Sequence, residues 1–144
     1  MPVTPTKFAQ DLTRAIPAEI FVARWYEDKG CKVDRAEGYF PDWDLKVKRH
    51  DTREFYVEVK HDLQAHITGN FYLERKCLEH SKADILVYCF GSPIKTLYFF
   101  DLPKTLVRLA PFPTDTKGGD QGEFGWLFSR RKFEQILKPQ KFEV

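Results

Sequence analysis

Asp44, Glu58 and Lys60 are three side chains whose types and spacing could hydrolyse a phosphodiester. Residues 43–48 and 55–60 alternate apolar and polar like half-buried strands, and the short polar connection between them reads as the turn of an antiparallel hairpin. Residues i and i+2 of a strand point to one side, so Glu58 and Lys60 project together while Val57 and Val59 face the core. Asp44 opens the neighbouring strand and reaches the same side as Glu58. Two carboxylates at one sheet surface repel each other, and a hard divalent cation removes the conflict. Mg2+ takes one or two carboxylate oxygens and keeps several waters. Such an ion polarises a phosphodiester and makes a bound water a better nucleophile. Lys60 then orients that water, helps deprotonate it, or offsets charge in the transition state. An ExK triplet alone is most often a solvated strand face. The upstream aspartate, the apolar flanks of both strands and a preceding helix with Glu19 raise this one above that reading.

The elements that must position these residues are legible from period and punctuation. A helix is predicted from Pro17, a residue suited to a helix first turn, to a C-cap at Gly30. Its apolar face is Ile20, Phe21, Ala23, Trp25 and Tyr26, and Glu19 falls in its first turn, where the helix dipole favours a carboxylate. Residues 31–36 read as a short strand. Residues 71–74 read equally as strand or as part of a helix whose face would include Leu73, Cys77, Leu78 and Ser81. The nearly continuous apolar run 83–90 fits a strand buried on both faces. A strand over 96–100, a helix over 102–109 with Pro103 in its first turn, a flexible loop over 111–125, a strand over 126–129 and a helix over 130–137 complete the order. That order predicts an α/β fold, a single mixed β-sheet flanked by helices.

The chain of 144 residues fits one domain over 1–144 with one core. Its 13 Phe are read mainly as core, since aromatics dominate core burial. A net charge of +2, from 23 basic and 21 acidic residues, is too balanced to argue for nucleic acid by itself. Three cysteines without CxxC spacing argue against a disulfide framework and for a reducing compartment. No apolar stretch approaches the roughly 18 residues of a membrane span, and the start has no signal-peptide core. A cytoplasmic location is therefore expected, the host cytoplasm if the chain is phage-encoded.

Pro41-Asp42-Trp43-Asp44-Leu45, followed by Glu58-Val59-Lys60, resembles the signature of the PD-(D/E)XK nuclease superfamily. The likeness spans residues 17–100, with an early helix carrying a Glu, an Asp-led strand and an ExK strand. It implies a restriction-endonuclease-like αβββαβ core. It also implies metal ligation by Asp44, Glu58 and the backbone carbonyl of Val59, a catalytic Lys60, and a supporting role for Glu19 at the metal or water. Asp42 is the literal PD aspartate and competes with Asp44, which is favoured because the strand follows it directly. Thr68-Gly69-Asn70 with Glu74 resembles an element of phage-type members and places Asn70 and Glu74 near the site. The resemblance implies Mg2+, with Mn2+ as a substitute, and DNA as substrate. Within that superfamily the chain resembles small phage and archaeal members of the Holliday-junction-resolvase type. Cleavage of branched DNA by a homodimer, in recombination or repair, is accordingly the first expectation, and a general phage-type DNA nuclease the next.

Two other classes compete. His61, His66, Cys77 and His80 are residues zinc accepts, although their spacings match no standard finger. A non-catalytic DNA-binding module could present Lys46, Lys48, Arg49, Arg75, Lys76, Arg130, Arg131 and Lys132 to phosphates. The complete Asp44, Glu58 and Lys60 set separates an active nuclease from that module.

Overall fold

A computed structural model describes residues 7–37, 42–51, 53–114, 116–118 and 123–144, of which 7–16, 116, 118 and 123 are described by their backbone alone. The first element is helix α1, Lys7–Asp28, which buries Ala18, Val22, Ala23 and Tyr26 along one stripe. It starts ten residues earlier than the sequence predicts. Pro17 lies inside the helix rather than in its first turn, where it forgoes one ladder hydrogen bond. The stop is as read: Gly30 takes a left-handed φ of 89°, and the Cys31 N–H returns to the Tyr26 carbonyl at 3.1 Å.

Strands β1 (Lys32–Arg35), β2 (Leu45–Lys48) and β3 (Glu54–His61) then form an antiparallel meander. The chain leaves β3 through a one-turn helix α2 (Ala65–Thr68), strand β4 (Asn70–Glu74) and helix α3 (Arg75–His80). It returns as β5 (Ile85–Phe90), parallel to β3, because so long a crossover allows the chain to re-enter in the same direction. Strand β6 (Thr96–Asp101) pairs with β5, and helix α4 (Leu102–Leu109) follows, its Lys104 N–H bonded to the Asp101 cap at 3.0 Å. Strands β7 (Thr116–Gly118) and β8 (Glu123–Ser129), helix α5 (Arg130–Leu137) and strand β9 (Gln140–Glu143) end the chain.

The main sheet has the order β1-β2-β3-β5-β6-β9 and is mixed, with β3–β5 its parallel pair. This is the α/β architecture of a mixed sheet flanked by helices. A second sheet, ordered β4-β8-β7, stands beside it. The expectation of a single sheet is corrected to that extent. The 70–81 ambiguity resolves into both alternatives in succession, since β4 ends at Glu74 and α3 begins at Arg75. The expected loop over 111–125 contains β7 and the start of β8, while residues 115 and 119–122 lie outside the described residues.

The main sheet is buried on both faces. Under α1 lie Leu45, Val47, Val57, Val87, Cys89 and Leu97. On the other face Leu86, Tyr88, Tyr98 and Phe100 of the main sheet pack with Phe71 of β4 and Phe133 of α5. Phe71 stacks on Tyr88 with ring centroids 4.9 Å apart, and Phe133 meets Phe71 edge-on at 4.4 Å. Strand β5 is buried on both sides as its apolar run implies, with Leu86, Val87, Tyr88 and Cys89 all inaccessible. Burial of the second face encloses Glu58, while Lys60, two residues on, stays partly accessible. No described helix is long and apolar enough to cross a membrane.

Candidate active site

Asp44 stands where β2 begins. Leu45 pairs with Val57, but the Asp44 N–H donates to the Val57 carbonyl at 2.9 Å, a one-residue slip that ends the ladder. The Val59 N–H, left without a strand partner there, donates instead to Asp44 Oδ2 at 2.7 Å. The side chain thus completes the backbone pairing that the slip interrupts, and a partly buried N–H is satisfied. This bond also fixes the Asp44 carboxylate against the segment Glu58-Val59-Lys60.

Glu58 is 7% exposed, a rarity for a carboxylate. Both of its oxygens meet side chains of α3 and its C-cap: Oε1 lies 3.6 Å from Cys77 Sγ and Oε2 lies 3.2 Å from Ser81 Oγ. Burial, reinforced by the nearby charge of Asp44, lifts its pKa to about 7, against the pull of Lys60, Ser81 and Cys77. Lys60 shares this recess. Burial alone would lower its pKa, but hydrogen bonding and charge from Cys77 and the carboxylates of Glu58 and Glu74 outweigh it, and the net shift is upward. The Cys77 thiol is itself pushed up, mainly by burial, against the pull of Lys60. The ammonium of Lys60 is therefore sustained by acids.

Glu19 reaches the same cluster from α1. It pairs with Arg35 of β1 at 3.6 Å and lies near enough to Asp44 for the two carboxyls to act on each other. Burial and the charge of Asp44 raise its pKa to about 7 although Arg35 opposes the shift. The pKa of Asp44 is also raised by burial, against the Val59 N–H, Lys60 and Glu19. Asp44 thus interacts with Glu19 of α1 and with Glu58 and Lys60 of β3, and each of the three acids is pushed toward its neutral form. That is the electrostatic state a hard cation would relieve. The donor chemistry fits: carboxylate oxygens of Asp44 and Glu58, with the Val59 carbonyl on the strand between them, match the preference of Mg2+ for few oxygen ligands completed by water.

The remaining candidates are placed as follows. The Asp42 carboxylate pairs with Lys82 at 3.6 Å, and its carbonyl accepts the Lys82 N–H at 2.7 Å, so Asp42 ties the β2 approach to the start of β5. Glu74 acts on Lys60 and Cys77 electrostatically, which puts it beside the recess. Asn70 sits at the opposite end of β4, its side chain exposed. Among the described residues, no group of three or more His, Cys, Asp or Glu side chains is arranged to hold a metal ion. The zinc set of His61, His66, Cys77 and His80 is therefore not assembled. His61 Nε2 bonds the Gly91 carbonyl at 2.7 Å, and Cys77 is in the acidic recess. Ser81 and Arg35 are site neighbours that sequence spacing does not single out. Both are common polar types, and only the packing of α3 and β1 brings them in.

No protein-family model matches the chain, and no curated protein matches it. Among solved structures, a bacterial homing endonuclease is similar in fold, with a TM-score of 0.51 and 19% identity over 71% of this chain and 69% of that one.

Proposed function

We propose that this protein is a Mg2+-dependent nuclease that hydrolyses phosphodiester bonds of DNA. The observation that carries the proposal is the convergence of Asp44, Glu58 and Lys60 at the junction of β2 and β3, with Glu19 close to Asp44. The likeness of fold to an endonuclease supports the same substrate class. Mg2+ would be held by Asp44, Glu58 and the Val59 carbonyl, and when bound it supplies Lewis acidity toward the phosphate and a more acidic water. Lys60, partly buried and protonated, is the group that stabilises negative charge on the phosphate oxygens. It is a poor base, because its neighbours hold the proton on. Glu19 has a pKa near working pH and is suited to orient the attacking water and accept its proton.

Branched DNA is the substrate we infer first. Its support is the likeness of the Asp44/Glu58/Lys60 motif to small junction resolvases, together with the little surface a single small domain offers for long sequence readout. A homodimer would place two such sites on opposed strands.

The test is cleavage of labelled four-way junction, nicked, single-stranded and duplex DNA in Mg2+ or Mn2+, by wild type, Glu58→Ala and Lys60→Ala. Cutting by wild type alone supports the proposal. Absence of cutting in both metals, or full activity of Lys60→Ala, overturns it. Tight, salt-sensitive binding without cutting identifies a DNA-binding module instead.

A further inference from the structure

Cys77 and Ser81 lie four residues apart, and each meets a different oxygen of the same carboxylate. Cys77 Sγ is 3.6 Å from Glu58 Oε1 and Ser81 Oγ is 3.2 Å from Glu58 Oε2. The spacing follows from one turn of helix, which puts i and i+4 on one face. The turn continues into Ser81, whose N–H donates to the Cys77 carbonyl at 3.1 Å. The Ser81 hydroxyl does more than touch Glu58. It lies 3.2 Å from the Asp42 carbonyl and accepts the Ala83 N–H at 3.2 Å. One hydroxyl carries one proton, so Glu58 and Asp42 share it as acceptors. Ser81 therefore joins Glu58, the segment leading into Asp44, and the start of β5. The turn is anchored by Leu78, between its two members, which is fully buried in the core.

We propose that Cys77 and Ser81 are positioning residues that clasp the Glu58 carboxylate and set which of its lone pairs is free for a divalent cation. The inference rests on the metal-dependent reading of the same recess. A carboxylate on a three-bond side chain has many rotamers, and ordering it at the moment of binding costs conformational entropy. Two donors from a rigid turn remove that cost beforehand, as outer partners of metal ligands do elsewhere. The thiol is the weaker donor and the hydroxyl the stronger. Loss of Ser81 should therefore weaken binding more than loss of Cys77.

The experiment is calorimetric titration of Mn2+ into the full chain, without DNA, for wild type, Glu58→Ala, Ser81→Ala, Cys77→Ala and Cys77→Ser, with thermal melting in chelator as a check on folding. Ser81→Ala is expected to weaken Mn2+ binding by about 10-fold or more. Cys77→Ala should weaken it less, and Cys77→Ser, which keeps a donor, should restore it. Ser81 also ties down Asp42 and Ala83, so if Ser81→Ala melts early the Cys77 pair decides the matter. Affinity unchanged in Ser81→Ala and Cys77→Ala, while Glu58→Ala loses binding, overturns the clasp alone. No Mn2+ binding by wild type, or full binding by Glu58→Ala, overturns the metal reading and the clasp with it.

Discussion

The Asp44 carboxylate accepts the main-chain N–H of Val59 at 2.7 Å, so one acid of the recess is fastened to the strand that carries the other acid and the lysine. Side chain and backbone here do a single job, closing the β2–β3 pairing and holding charge at a chosen place. Removing the two functions separately is possible. Asp44→Asn keeps an oxygen acceptor and loses the charge, whereas Asp44→Ala leaves the Val59 N–H unpaired. Both should reduce metal-dependent cleavage by at least about 100-fold, given the several kcal/mol a bound ion supplies. In urea titrations Asp44→Ala should be less stable than Asp44→Asn by about 1–3 kcal/mol, the cost of a buried unsatisfied donor. Equal stability of the two would show that the bond to Val59 carries no weight.

Stability should fall as pH rises through the neutral range in metal-free buffer. Glu19 and Glu58 both have pKa values raised from 4.5 to about 7 in the folded protein, by burial first and then by Asp44. The native state thus binds protons that the unfolded chain releases. The contribution of each is fully present below pH 4.5 and is lost as pH climbs through 7. Melting temperatures measured without metal from pH 5 to 8 should decline, less steeply for Glu58→Gln. Adding Mg2+ should flatten the decline, since the ion favours the ionised carboxylates. A melting temperature that rises across this window in chelator would contradict the crowding of these acids.

Lys60 compensates its acidic neighbours, so its loss should be felt in stability and chemistry together. Lys60→Met approximates the side-chain volume and removes the charge. Cleavage should fall by about 100- to 1,000-fold, the scale for losing one preorganised electrostatic contact. Chelated Lys60→Met should melt below wild type at pH 8, where ionised Glu58 loses its cation, and approach wild type near pH 5. A pH-independent difference would point to packing instead of charge.

Glu19 offers a contrast in sign. Its carboxyl crowds Asp44, and Arg35 offsets that only in part. Glu19→Gln should raise the melting temperature at pH 8 in chelator while lowering cleavage and shifting the acidic limb of its pH profile. An unchanged pH profile would remove Glu19 from the reaction.

The second core layer, which roofs the recess, depends on Phe133. It is fully buried and meets Phe71 at 4.4 Å and Phe100 at 5.2 Å. Phe133→Ala should cost about 3–5 kcal/mol in urea unfolding, the range for a large aromatic cavity. A loss under about 1 kcal/mol would mean that α5 packs loosely.

Much of the positioning was readable from residue order. Apolar–polar alternation placed β2 and β3 side by side, Gly30 marked the end of α1, and the apolar run through Leu86 and Cys89 announced a strand with two buried faces. Those signals are local, because period and turn chemistry act over a few residues. The start of α1 was misplaced because Pro17 fits a helix first turn as well as it survives within a helix whose packing outweighs one lost bond. Strand β9 carries no strong alternation and forms because the edge of β6 is there to receive it. At the candidate site, Asp44, Glu58 and Lys60 are singled out by type and spacing along two neighbouring strands. What only the tertiary structure decided is their surroundings. A slip in the β2–β3 ladder turns Asp44 onto Val59, α1 brings Glu19, and the turn of α3 brings Cys77 and Ser81 against Glu58. Burial by elements far away in sequence raises the pKa values of the acids, and no local pattern encodes how deeply a side chain will be covered.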